Sequence, residues 1–212
     1  MQNKEVLKLV RDLIKLINQK IAGIAGIFFI PVAFAFISTS FLIHRSWFDI
    51  TENAFSELGA IGTQYNYVFN IGLILTGVLG IIFSIGLCRF TEDSKVLKIG
   101  INSFGLSMFL LVLLGIFPLG MPLHFEIAAA MFIFSFVGII FTSVGLSLKK
   151  ESQNKKYGLG TLITIISVVI LIVILEVIPI NLSPGIFSAF GGIVIAEFIL
   201  SHGIRMIRVQ GY

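Results

Sequence analysis

The sequence predicts an all-α polytopic membrane protein: a bundle of six transmembrane helices, preceded by an amphipathic interfacial helix and carrying one short loop helix on its outer face. Three observations predict it. Of 212 residues, 57% are hydrophobic and only 12% charged, with a mean hydropathy of +1.03, which is more apolar surface than one soluble core can hide. That surface falls into six runs, each near the roughly 20 residues that cross ~30 Å of hydrocarbon as helix. Finally, Lys and Arg gather on one side of those runs.

Residues 3–18 alternate Lys4, Lys8, Arg11, Asp12 and Lys15 with Val6, Leu9, Val10, Leu13 and Ile17. This helical period gives one basic and one apolar face, the pattern of a helix lying in the membrane surface. Residues 1–20 therefore form the interfacial anchor and 21–208 the transmembrane domain. The expected spans are 21–43, 66–88, 99–119, 125–148, 159–180 and 185–207. Ala33-Phe34-Ala35 imitates a signal-peptidase site, but hydrophobicity runs on to Ile43, so the first span is expected to be retained.

Fourteen of the fifteen Lys and Arg residues lie on one side of the six spans, and Arg45 alone on the other. The asymmetry places both termini in the cytoplasm of a cell-membrane protein, with the loop 44–65 and the turns 120–124 and 181–184 outside. The basic residues flank spans and do not interleave with exposed aromatics, so a nucleic-acid partner is not expected. One cysteine, Cys88, excludes an intramolecular disulfide and any multi-cysteine zinc site. Asn181-Leu182-Ser183 is a glycosylation sequon, although Pro184 and the nearness of the membrane argue against its use. Gly72, Thr76, Gly80 and Ser84 line one face of span two, where small residues let helix backbones approach; that span is expected to be central.

The polar residues concentrate in 49–72. Asp49 followed by Glu52 has the form of a capping box, and Gly59 suits a left-handed helix end, so a short helix is expected between them. Asn53, Ser56 and Glu57 would share its inward face, with Trp47, Phe48 and Phe55 at the headgroup level. Asn66 and Asn70 continue the polar lining. Other spans bring His124, Glu126 and Glu176 to the same level, where an unpaired carboxylate in hydrocarbon costs several kcal/mol. Convergence of these groups would allow a metal, acid–base chemistry or a binding cavity; without it they cap helices and bond to Arg45, Asn70 and loop carbonyls. His-Glu-x-x-His, Gly-x-Ser-x-Gly and P-loop motifs are absent from the sequence. Glu197, deep in span six with His202 five residues on, is either a proton relay or a hydrogen-bonded structural pair.

Asn53-Ala-Phe-Ser-Glu-Leu-Gly59, Phe69-Asn70-Ile-Gly-Leu-Ile-Leu-Thr-Gly77, Gly115-Ile-Phe-Pro118 and His124 with Ala128 and Phe132 resemble the six-span archaeal and bacterial proteins catalogued as domain of unknown function 998. The resemblance runs from about Ile21 to Ile207. More remotely the pattern is similar to Frag- and DRAM-type membrane proteins, which would imply lipid or membrane-trafficking roles. It implies a six-helix bundle and makes Asn53, Ser56, Glu57, Asn70, Pro118 and His124 signature positions, without implying a reaction. The expectation is a non-enzymatic protein that binds a lipid headgroup or small solute in an outward-facing polar cavity, its candidate contacts being Asn53, Ser56, Glu57, Asn70, His124, Glu126 and Glu176. The alternatives are a membrane-embedded lipid hydrolase or transferase, and a subunit of a larger membrane complex. No cofactor can be named from these residues.

Overall fold

The computed structural model describes residues 5–6, 8, 12, 14–91, 94–177 and 183–208, except the side chains of 152, 153, 176 and 177. Six long helices follow one another: α1 (Gln19–His44), α2 (Tyr67–Phe90), α3 (Lys95–Ile116), α4 (His124–Ser147), α5 (Ser152–Val177) and α6 (Pro184–Arg208). A 3-10 helix, Phe55–Gly59, stands between α1 and α2. Helices of 22–26 residues rise about 33–39 Å, enough to cross the hydrocarbon with some tilt. All six are long and apolar enough to span a membrane, and the described residues contain no strand.

The helix starts reflect local chemistry. Asn18 caps α1 by accepting the Ile21 amide at 2.9 Å, while α3 stops at Ile116, two residues before Pro118. Two helices begin a full turn or more before the apolar runs do: α3 at Lys95 and α5 at Ser152. Charged residues such as Lys155 and Lys156 therefore extend a span into the interface instead of forming a loop. Of the expected amino-terminal helix, residues 5, 6, 8, 12 and 14–16 are described and helical, and it ends there, since Ile17 and Asn18 are not helical and Gln19 opens α1; residues 1–4, 7, 9–11 and 13, and Asn181 and Leu182 of the sequon, lie outside the described residues.

Consecutive helices α1 to α4 pack side by side, and α6 returns against α1 while touching α2. As expected, the small face of α2 is buried, Gly72 lying against Phe36 of α1 and Gly80 against Met108 of α3. The middle of the bundle is filled by three rings, Phe83, Phe104 and Phe198, whose centroids stand 4.9–6.3 Å apart at steep angles. Such edge-to-face packing closes the centre. A smaller cluster of Phe48, Leu58 and Phe69 lies beneath the 45–66 segment. We call that end of the bundle the cap end and the opposite one the basic end.

Helix α5 is the outlier. Its buried positions among the described residues are Asn154, Gly158 and Thr161, all polar or small and all near the basic end. Toward the cap end it exposes Ile163, Ile166, Val169, Ile170, Val173 and Ile174.

Candidate functional site

The cap is built by short polar side chains that satisfy backbone groups. Asp49 forms a tight turn in which its carboxylate accepts the hydroxyl of Thr51 at 2.6 Å and the Thr51 amide at 2.8 Å. The hydroxyl and the amide together hold the Asp49 carboxyl below its usual range. Asn53 then works in both directions: its oxygen accepts the Asp49 amide at 2.9 Å, and its nitrogen donates to Glu57 at 2.8 Å. The other Glu57 oxygen accepts the Ala54 amide at 2.7 Å.

The capping residue is thus Glu57 closing on Ala54, not Glu52 on Asp49. A full α-helix over 49–59 is replaced by a turn and a 3-10 helix, because the Asp49 side chain is already committed to Thr51. Gly59 is not left-handed; among described residues the positive-φ positions are Gly62, Tyr65, Gly120 and Leu123. Gly59 is instead needed for approach, since a Cβ there would meet the Phe69 ring at 2.8 Å and run into the Asn70 amide. The expected row of interfacial aromatics is also divided. Trp47 is exposed, but Phe48 is buried and stacks on Phe55 at 6.1 Å beneath the cap.

From the 3-10 helix the bonds run outward to the surrounding helices. Asn70 donates to the Gly59 carbonyl at 3.0 Å and Asn66 to that of Ala60 at 2.9 Å, which fixes the cap to α2. The Ile61 amide donates to the Leu119 carbonyl at 2.9 Å, fixing it to the α3–α4 turn. Within that turn His124 donates from Nδ1 to the Phe117 carbonyl at 2.8 Å, which Pro118 leaves at a broken helix end. The Ser183 hydroxyl donates to the Ile50 carbonyl, and Gly185 sits tightly against Asn53 and Ile50, fixing the cap to α6.

Asn53 and Glu57 thus bond to each other directly and Asn70 reaches their 3-10 helix through the Gly59 carbonyl, whereas His124 bonds within the α3–α4 turn, which meets the cap through Ile61 and Leu119. Ser56 is half-buried on the 3-10 helix; Glu126 is exposed in the first turn of α4. Arg45, an expected partner for the acids, is exposed. The side chain of Glu176 lies outside the described residues. Among the described residues no three of His, Cys, Asp and Glu stand close enough to share a metal ion.

His44 was not among the expected residues. It is buried at the end of α1, and its two ring nitrogens lie 2.7 Å from the carbonyls of Ser40 and Gln64. It ties α1 to the cap loop. The only sequence signal is a histidine closing a long apolar run, which does not reveal a partner twenty residues away.

The clefts on the bundle surface include two that are lined by none of these cap residues. One, about 260 Å³, lies between α4, α5 and α6 and is walled by Phe132, Phe136, Val168, Ile172, Phe187 and Val194. The other, about 420 Å³, lies at the basic end among Ser84, Cys88, Arg89 and Asn102.

A six-helix bundle of membrane-spanning length, closed at one end by a hydrogen-bonded cap, defines a multi-pass integral membrane protein. Residues 27–205 match the family model described as "Protein of unknown function (DUF998)", and the chain belongs to that family. No curated protein and no solved structure matches it, and the remoter likeness to Frag- and DRAM-type proteins is not shown.

Proposed function

We propose that this protein binds a membrane lipid at its cap end, with an acyl chain lying in the groove between α4, α5 and α6. The observation that carries the reading is the groove itself. Its walls are almost wholly hydrocarbon, and residues such as Val169 and Phe187 along it are exposed on the membrane-spanning surface. At about 260 Å³ it falls just below the roughly 300–1,000 Å³ of sites that enclose a whole small ligand. That size suits a segment of chain with its headgroup left outside.

In this reading Asn53, Glu57, Asn70 and His124 are the frame of the cap, since each is hydrogen-bonded to the fold. Headgroup contacts fall to Glu126, at the cap end of α4, one of the three helices that line the groove, and to Ser56. An acid there favours an amine-bearing headgroup over an anionic one.

The test is lipid retention. Protein purified in mild detergent should carry lipid in near-stoichiometric amount by native mass spectrometry, and Val169→Trp, which fills the groove from an exposed position, should lose it while keeping its melting temperature. Equal retention by the variant and the wild type would sink the proposal.

A further inference from the structure

At the basic end α5 and α6 are joined by polar residues. They run antiparallel, and each step down α5 is answered by a step along α6. The hydroxyls of Thr161 and Ser201 flank the Glu197 carboxyl. One turn further, the Tyr157 ring lies 5.9 Å from that of His202. Below it Arg205 donates to the Asn154 oxygen, with its guanidinium 5.5 Å above Tyr157 and 4.8 Å above Phe90. Asn154 in turn donates to Glu151 at 2.7 Å, which brings the column to the surface.

Several atoms along this column are buried and lack a protein partner among the described residues: Glu197 Oε2, His202 Nε2 and Arg205 Nη1, with Ser143 Oγ on neighbouring α4. Buried polar atoms are satisfied as a rule, so this concentration calls for an occupant. The set contains both donors and acceptors. His202 Nδ1 stands 2.9 Å from the Phe198 carbonyl, which can only accept, so in the neutral ring Nε2 presents a lone pair. A simple anion would satisfy only the donors and a metal ion only the acceptors. Water satisfies both.

Depth supplies the second half. Glu197 lies thirteen residues beyond Pro184, about 20 Å along α6 and well inside the hydrocarbon. A carboxylate there must be neutralised, and Arg205, two turns away, already bonds to Asn154 and lies between two rings. Among the described residues, the other titratable groups along this column are His202, Tyr157, Arg205 and Glu151. Helices α1 and α2 meet α6 through Gly23, Gly26, Phe83 and Phe90, and α4 meets it through Phe132, none of which titrates.

We propose that Glu197 is a proton-binding site inside the membrane, served by water that enters from the basic end past Arg205, Tyr157, His202 and Thr161. A hydronium ion at that end gives its proton to the carboxylate along the water and hydroxyl chain and is left as water. Nothing is oxidised or reduced.

Infrared difference spectra of the protein in vesicles of zwitterionic phospholipid, taken between mildly acidic and mildly alkaline pH, test this. A protonated-carboxyl band is expected that responds to pH, shifts within minutes in heavy water and is missing from Glu197→Gln. Thr161→Val should keep the band at an altered frequency and slow its exchange by about tenfold, the effect of one lost hydrogen bond. A band that survives in Glu197→Gln, the lack of any Glu197-dependent band, or a band that does not exchange overturns the proposal. Should Glu197→Gln fail to fold, Thr161→Val decides: unchanged frequency and exchange overturn it.

Discussion

Asn53 and Glu57 hold each other in place: the asparagine nitrogen donates to one carboxylate oxygen at 2.8 Å while the other oxygen accepts the Ala54 amide at 2.7 Å. Two half-buried side chains thereby set the start of the 3-10 helix. Glu57→Ala removes both acceptors and should cost about 1–2 kcal/mol, the usual range for a lost cap. Glu57→Gln, which keeps an acceptor, should cost less. Thermal melts in detergent, together with faster amide exchange at Ala54 in the alanine variant, check this; equal melting temperatures would contradict the bracing role.

Gly59 stands against Phe69 and Asn70. Gly59→Ala forces the cap away from α2 and stretches the Asn70 bond to the Gly59 carbonyl, a change of the overpacking kind worth about 1–3 kcal/mol. Because the strain is steric, Gly59→Ala should destabilise even in the Asn70→Ala background, where the Phe69 contact remains. Melting of the single and double variants separates the two contributions.

Two helical glycines make opposite predictions. A Cβ on Gly138 would meet the Phe104 backbone at 2.6–2.8 Å, whereas Gly160 has nothing within 4 Å. Gly138→Ala should therefore lower stability by about 1–3 kcal/mol as α3 and α4 are pushed apart. Gly160→Ala should be neutral or stabilise by up to about 1 kcal/mol through helix propensity. Denaturation of the two variants side by side would show whether helix approach, and not glycine content, sets the effect.

The turn at Asp49 should respond to acid. Its carboxyl is held below the ordinary value by the Thr51 hydroxyl and amide, so the turn is fully stabilised above the unfolded value of about 3.9. That stabilisation is lost as the pH falls through the lower, folded value. Thr51→Val removes the hydroxyl and should move the Asp49 titration upward, as read by carboxyl-carbon NMR. An unmoved titration would rule out the hydroxyl as the main cause.

The six spans and the small face of α2 were legible in the sequence because hydrocarbon thickness and helix approach impose length and spacing directly. The polar residues of the cap were legible as a group, since charge and amide groups stand out against an apolar background. Their wiring was not. Asn70 and His124 bond to the carbonyls of Gly59 and Phe117, and every residue has a carbonyl, so nothing in the sequence distinguishes the one chosen. The turns that present those carbonyls depend in part on left-handed backbone at Tyr65 and Leu123, residue types that rarely adopt it. The early start of α5 was hidden because Asn154, Lys155 and Lys156 resemble a loop by composition, although Asn154 is buried against Arg205.

The inward polar stripe of α5 also bears on how the chain assembles. A segment that is aliphatic along its outer face can rest in lipid by itself, and nothing in its hydrophobicity directs it to a particular neighbour. Its address is written in Asn154, Gly158 and Thr161. During biogenesis α5 would thus dock on α4 through Gly158, which lies against Ser143 and Ser147, and α6 would lock that register by bringing Arg205 to Asn154.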